Sequence, residues 1–276
     1  MMTREYRPIL RLVFIQLTFV SHIPQYGNPG VGYNIFWRRL LLVLIGIAAA
    51  TIVQVLPRPP SATRHICRSL SNAISSLSDH YALLLTCWGH PEHRETGQIA
   101  EQISIDLAEL LTTLDGPIAL VRFEFSSSPF DSQTLNQVQS LCHELNQNLG
   151  RLLFLSVSLP LDLQNRLARS SGLLDHRHIG DVMAVLGVVE QSLKTGDPLP
   201  EILPTPLVKR SYEYWVHRPV ELQLGIDLVR DENYRKFCVA VSSYIKFLGV
   251  VDELVLVAKK ALGEVHVVSR EVLNHV

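Results

Sequence analysis

Two short clusters of histidine stand out in this chain, because imidazoles beside carboxylates are common material for metal binding and proton transfer. In Asp175-His176-Arg177-His178-Ile179-Gly180-Asp181, two imidazoles one residue apart are flanked by two carboxylates. Such a set could ligate zinc or another divalent ion. His90 and His93, on either side of Pro91-Glu92, form a smaller cluster of the same kind. The plainer reading of both is a solvated turn between helices, where Asp caps a helix end and His meets water. That reading is preferred, so no metal site and no cofactor are expected. Glu124, in the stretch VRFEFSSSPF (Val121–Phe130), is a lone carboxylate. General acid or base work would need a partner carboxylate or histidine within reach, and none is near in the sequence. Glu124 is therefore expected to meet a neighbouring arginine or a helix end. The chain contains no GxxxxGK[ST] or GxGxxG phosphate loop, no GxSxG elbow and no HExxH pair. No catalytic residue is expected, and the chain reads as something other than an enzyme.

The best site candidates are Arg38 and Arg39, which open a long apolar run. Guanidinium groups at a membrane helix end can attract an anionic substrate or a lipid headgroup. They can equally anchor the helix at the interface and fix its depth.

The apolar run Leu40–Leu56 reads LLLVLIGIAAATIVQVL and contains no charge. At ~1.5 Å per residue it measures roughly 26 Å, slightly short of a ~30 Å hydrocarbon core. Ile35 to Trp37 extend it and add an interfacial aromatic. Gly46, Ala48, Ala49 and Ala50 would admit a neighbouring helix closely. A buried core helix is the alternative. An earlier run, Leu12–Ile23, is shorter and interrupted by polar residues; a secretory signal peptide competes with a membrane helix there. The glycine- and proline-rich Tyr26–Tyr33 would turn the two runs into a hairpin. With both ends inside, Arg4, Arg7, Arg58, Arg64 and Arg68 are cytosolic, which places the following part on the cytosolic side.

After Pro57–Pro60, Ser61 is a good N-cap, and Ile66, Leu70, Ile74, Leu77, Tyr81, Leu84 and Trp88 form one helical stripe. Similar stripes run from Ile99 to Leu114, Leu135 to Leu152, Leu161 to Leu174, Ile179 to Leu193 and Tyr234 to Ala258. Asp231 is a plausible N-cap and Gly263 a C-cap for the last. Between them, Ile118–Phe125 reads as a short extended segment. Thr195–Leu207, with four prolines in thirteen residues, reads as an ordered strap or a linker. The expected fold class is mainly α: a membrane helix hairpin of one or two spans over residues 1–60, then a cytoplasmic helical bundle over 61–276.

Composition agrees with a mixed object. The chain has 276 residues, 47% of them hydrophobic, with mean hydropathy +0.18. This is high for a wholly soluble chain and low for a complete multi-span protein. A net charge of −1 argues against a nucleic-acid partner. Cys67, Cys87, Cys142 and Cys238 are widely spaced with no CxxC pair, and read as buried small side chains in a reducing compartment.

Three stretches, Gly27–Leu70, Val121–Phe130 and Ser171–Leu207, together resemble the C-terminal part of fungal brefeldin A sensitivity protein-like membrane proteins. These belong with fusaric-acid-resistance and aromatic acid exporter transporters. The WRR stretch opening a last membrane helix with a proline-rich exit carries the first of these likenesses. The resemblance implies a multi-span transporter with a large cytoplasmic helical domain, in the endoplasmic reticulum or another cellular membrane. Its partners would be the lipid bilayer, the remaining membrane domain of a longer parent, and further copies in a homo-oligomer. The chain keeps at most the last two helices of such a transporter. It therefore reads as a fragment, a truncated product or a mispredicted gene, unable to transport alone. A membrane-anchored helical interaction or scaffold module is the alternative.

Overall fold

Long stretches of Leu, Ala, Gln and Ser with apolar residues every third or fourth position dictate helix, and helix dominates a computed structural model of the chain. The structure describes residues 31–55, 61–89, 94–122, 124, 130–217 and 230–265. Met1–Pro59 and Pro60–Val276 form separate units.

In the first unit, α1 spans Val31–Val55. It has no polar face. Leu41, Leu42, Leu44, Ile45 and Ile47 point to different sides of the helix, and all are exposed, Leu42 by 67%. Among the described residues, no helix is long and apolar enough to cross a membrane. The expected hairpin is thus unsupported. Its first arm and its turn lie outside the described residues, apart from the start of α1. In the second arm the Arg38-Arg39 pair sits inside the helix and shortens the charge-free part.

The second unit is built on four long helices: α2 (Ala62–Gly89), α5 (Ser132–Ser158), α7 (His176–Thr195) and α9 (Glu232–Leu262). They close a ring in which α2 packs on α5 and α7, and α9 packs on α5 and α7. α3 (Arg94–Thr113) and α4 (Asp115–Val121) cover the side formed by α2 and α5. α6 (Leu161–Ser171) and α8 (Leu207–His217) lie against each other and against α9. The predicted stripes of α2 and α5 are buried along their whole length. At the centre the fully buried ring of Tyr81 on α2 stacks on that of Phe247 on α9, with centroids 5.2 Å apart. Each such side chain contributes roughly 1.5–3 kcal/mol through burial.

Helix ends are set by side chains close in sequence and far from it. Ser61 accepts from Arg64 N–H, Asp131 from Thr134 N–H and Asp231 from Asn233 N–H. Gln164 donates to the carbonyls of Ser156 and Leu159, which end α5. The predicted extended segment Ile118–Phe125 is instead helical up to Val121, as the end of α4. Pro117 sits in the first turn, where its missing N–H costs nothing, and Ile118 and Val121 bury one face. Gln139 of α5 ties the joint by donating to Leu111 O and Asp115 Oδ1.

The proline-rich stretch is an ordered strap. Its β1 (Leu199–Pro200) pairs in parallel with β2 (Glu264–Val265), so the strap closes on the end of α9. Lys259 adds a bond to Glu201 O at 3.0 Å and an ion pair to Glu264 at 3.2 Å. Gly263, with φ of 85°, makes that closure without a Cβ penalty.

Candidate functional site

Arg38 and Arg39 lie on α1, two turns from its start, and both are exposed. Neighbouring helix positions differ by about 100°, so the two guanidinium groups leave α1 on different sides. α1 carries no acidic residue, so any countercharge must come from elsewhere. Trp37 beside them is exposed and meets Phe36 edge to face at 6.2 Å. Aromatic rings and guanidinium groups at one level of an apolar helix suit the polar boundary of a bilayer and its anionic headgroups.

The start of α7 does not bring its two histidines together. Asp175 is the N-cap of α7, accepting from the N–H groups of Arg177 and His178 at 3.0 and 3.2 Å. Tyr214 of α8 donates to the same carboxylate at 3.4 Å. Burial opposes the charge of Asp175, but these donors outweigh it and hold the carboxyl below its ordinary range. His176 is exposed, whereas His178 is buried edge-on against Tyr244, 6.2 Å between ring centres. Burial lowers the pKa of His178, while Asp181 and Asp175 pull the other way. Asp181 itself pairs with Arg210 of α8 at 2.5 Å. Residues two apart on a helix face different directions, so the imidazoles diverge. Among the described residues no group of three or more His, Cys, Asp or Glu side chains is placed to hold a metal ion. The cluster of His90 and His93 falls outside the described residues.

Glu124 meets a helix end. Its carboxylate accepts from Thr63 N–H at 2.9 Å and from the Thr63 hydroxyl at 2.6 Å, capping α2. Burial raises its pKa, and the donors of Thr63, Ser61 and Ala62 more than reverse this. Of the cysteines, Cys67, Cys87 and Cys142 are buried as expected. Burial pushes the Cys67 thiol up to about 11 and that of Cys142 to about 12, which leaves them poor nucleophiles. Cys238 is exposed, contrary to the sequence reading, because it sits on the outer side of α9, one position beyond buried Phe237.

Two further features escaped sequence reasoning. Asp252, in the middle of α9, accepts from Leu207 and Val208 N–H at 2.7 and 3.1 Å and so caps α8. No local signal links residues 45 positions apart. His80 is fully buried, and among the described residues neither ring nitrogen meets a partner in good hydrogen-bonding geometry. Its burial lowers its pKa to about 4, with Asn146 acting the other way. Asn146 is itself committed to Ser104 through two hydrogen bonds. His80 is thus a neutral core residue.

A family model of the Brefeldin A-sensitivity protein 4-like domain matches residues 61–266. An uncharacterized protein of Schizosaccharomyces pombe is 24% identical over 264 residues, covering 91% of this chain and 20% of that protein. The chain therefore spans about a fifth of that relative's length. No solved structure matches. The family match begins beside the Ser61 cap of α2 and ends just past β2, so it takes in the four long helices, the strap and the Glu124 contact alike. The chain belongs to the Brefeldin A-sensitivity protein 4-like domain family.

Proposed function

We propose that this chain is the C-terminal region of a membrane transporter, an exporter of aromatic or other organic anions. Its helical unit serves assembly or regulation on the cytosolic side and performs no chemistry of its own. The observation that carries the reading is α1: apolar side chains exposed on all sides, with an arginine pair and a tryptophan at one end. A helix hydrophobic all round needs a protein core or a bilayer around it. No described helix is by itself long and apolar enough to cross a membrane, and the charge-free run of roughly 26 Å comes nearest to the ~27 Å core of the endoplasmic reticulum membrane. The much greater length of the fission-yeast relative leaves room for the further helices that a transport pathway requires. Arg38 and Arg39 are assigned to the anionic substrate or a lipid headgroup at the helix end. The link to fusaric-acid-resistance and aromatic acid exporters rests on the sequence resemblance alone.

The test is protease protection of a C-terminal tag in sealed microsomes, with export measured in a full-length family member. The tag should be digested without detergent, and replacing Arg38 and Arg39 by Gln should slow export of benzoate. A protected tag, or unchanged export with both arginines replaced, would count against the respective part. A scaffold role is the second reading, favoured by an open apolar groove of about 260 Å³ between α8 and α9, lined by Tyr212, Trp215, Ile245 and Leu248 among others.

A further inference from the structure

A second recess lies where α6, α7 and α8 meet, with a volume of about 330 Å³. Its size falls at the lower end of small-molecule sites. Ala168, Leu174 and the ring of Tyr214 supply its apolar lining, beside a polar share of about equal extent. That ring is seated against Gly172, whose φ is 71° and where a Cβ would come within 3.2 Å of Tyr214. The rim carries three donor side chains, Asn165 and Arg169 one turn apart on α6 and His176 on α7. Arg169 and His176 are both exposed, and Arg169 makes no ion pair among the described residues.

The one acid at the recess is Asp175. Its carboxylate is already committed to two backbone N–H groups and the Tyr214 hydroxyl. It is therefore a weak competitor for Arg169, and it also occupies the N-terminal N–H groups of α7, so those groups add nothing to the recess. What remains is one fixed cation, one imidazole and one amide beside apolar and aromatic side chains. A guanidinium fork favours oxyanions with two or more oxygens. Three donor side chains match the three oxygens of a phosphomonoester, and the apolar lining suits a small flat apolar body behind it.

From this arrangement we infer that the recess between α6, α7 and α8 binds a phosphomonoester attached to a small apolar group, held by Arg169, His176 and Asn165. The same chemistry is offered by a soluble organic phosphate and by the headgroup of phosphatidic acid. The site is built from residues of the second unit and stands whether or not the transporter reading does.

The experiment is isothermal titration of the full chain, held in phosphatidylcholine nanodiscs, with phenyl phosphate and with inorganic phosphate. Saturable binding of phenyl phosphate, tighter than inorganic phosphate, is expected. Arg169→Gln should weaken it at least tenfold, while Arg177→Gln, an exposed arginine outside the recess, should leave it unchanged. An unshifted thermal midpoint will show that Arg169→Gln is folded. Nanodiscs containing phosphatidic acid separate the two sources: loss of phenyl phosphate binding there supports a lipid ligand, and retained binding supports a soluble one. No saturable binding, equal binding by the parent and Arg169→Gln, or equal weakening by Arg177→Gln would overturn the proposal.

Discussion

Replacing Asp252 by alanine removes the only side chain that caps α8 across the α8–α9 interface among the described residues. The carboxylate accepts from Leu207 N–H at 2.7 Å and from Val208 N–H at 3.1 Å. Losing an N-cap side chain costs about 1 kcal/mol. Leu207 is fully buried, so its N–H finds no water, and a buried donor left without a partner costs about 1–3 kcal/mol. Val208 is half-buried, and its N–H can turn to solvent at little cost. Together the loss is about 2–3 kcal/mol. For a domain of this size that lowers the thermal midpoint by roughly 5–10 °C. Thermal unfolding followed by near-ultraviolet circular dichroism measures the global effect. Amide hydrogen exchange read by mass spectrometry should place the loss of protection in residues 207–217. Asp252→Asn keeps one acceptor and should lose about half as much. A midpoint within about 1 °C of the parent, or unchanged exchange in α8, would refute the reasoning.

Four further outcomes are expected. His80 is neutral in the fold, with its pKa lowered from 6.5 to about 4, so the unfolded chain binds the extra proton between those values. Stability should therefore be unaffected by this group above about pH 6.5 and fall as pH drops toward about 4, by up to roughly 3 kcal/mol; His80→Leu should flatten that slope in denaturant titrations at several pH values. Iodoacetamide under native conditions should label Cys238 and spare Cys67 and Cys142 until the chain unfolds, as read by peptide mass spectrometry. Gly172→Ala should cost roughly 1–2 kcal/mol in thermal unfolding, because it forces a left-handed backbone on a side chain that also presses on Tyr214. Glu124→Gln should lower stability by about 1 kcal/mol and raise exchange in the first turn of α2, since a neutral amide accepts more weakly from Thr63.

The helices that carry the core were legible because their signals are local. The stripe from Ile66 to Trp88 and that from Leu135 to Leu152 repeat every three or four residues, and all of them are buried. Ser61, Asp231 and Gly263 announce helix ends within one turn of the backbone they cap. What stayed hidden depends on partners distant in the chain. α8 was not foreseen, because Asp252 holds its first turn from 45 residues away. Ile118–Phe125 read as extended because it follows the breaker Asp115-Gly116-Pro117; burial of Ile118 and Val121 and the bond from Gln139 to Asp115 decided for helix up to Val121. The strap could be read as ordered from its prolines, but its pairing with Glu264–Val265 could not. Of the candidate site residues, Arg38 and Arg39 stand within α1, two turns from its start. His176 and His178 were both read as part of a solvated turn between helices, which holds for exposed His176 but not for His178, which α7 turns into the core.

Whether α1 is embedded in a bilayer is tested directly by alkaline carbonate extraction of the tagged full chain from cell membranes. The chain should stay in the membrane pellet at high pH, as an integrally inserted helix does. Release into the supernatant would show that the exposed apolar surface of α1 is covered by protein instead, and would contradict the membrane assignment and the transporter reading built on it.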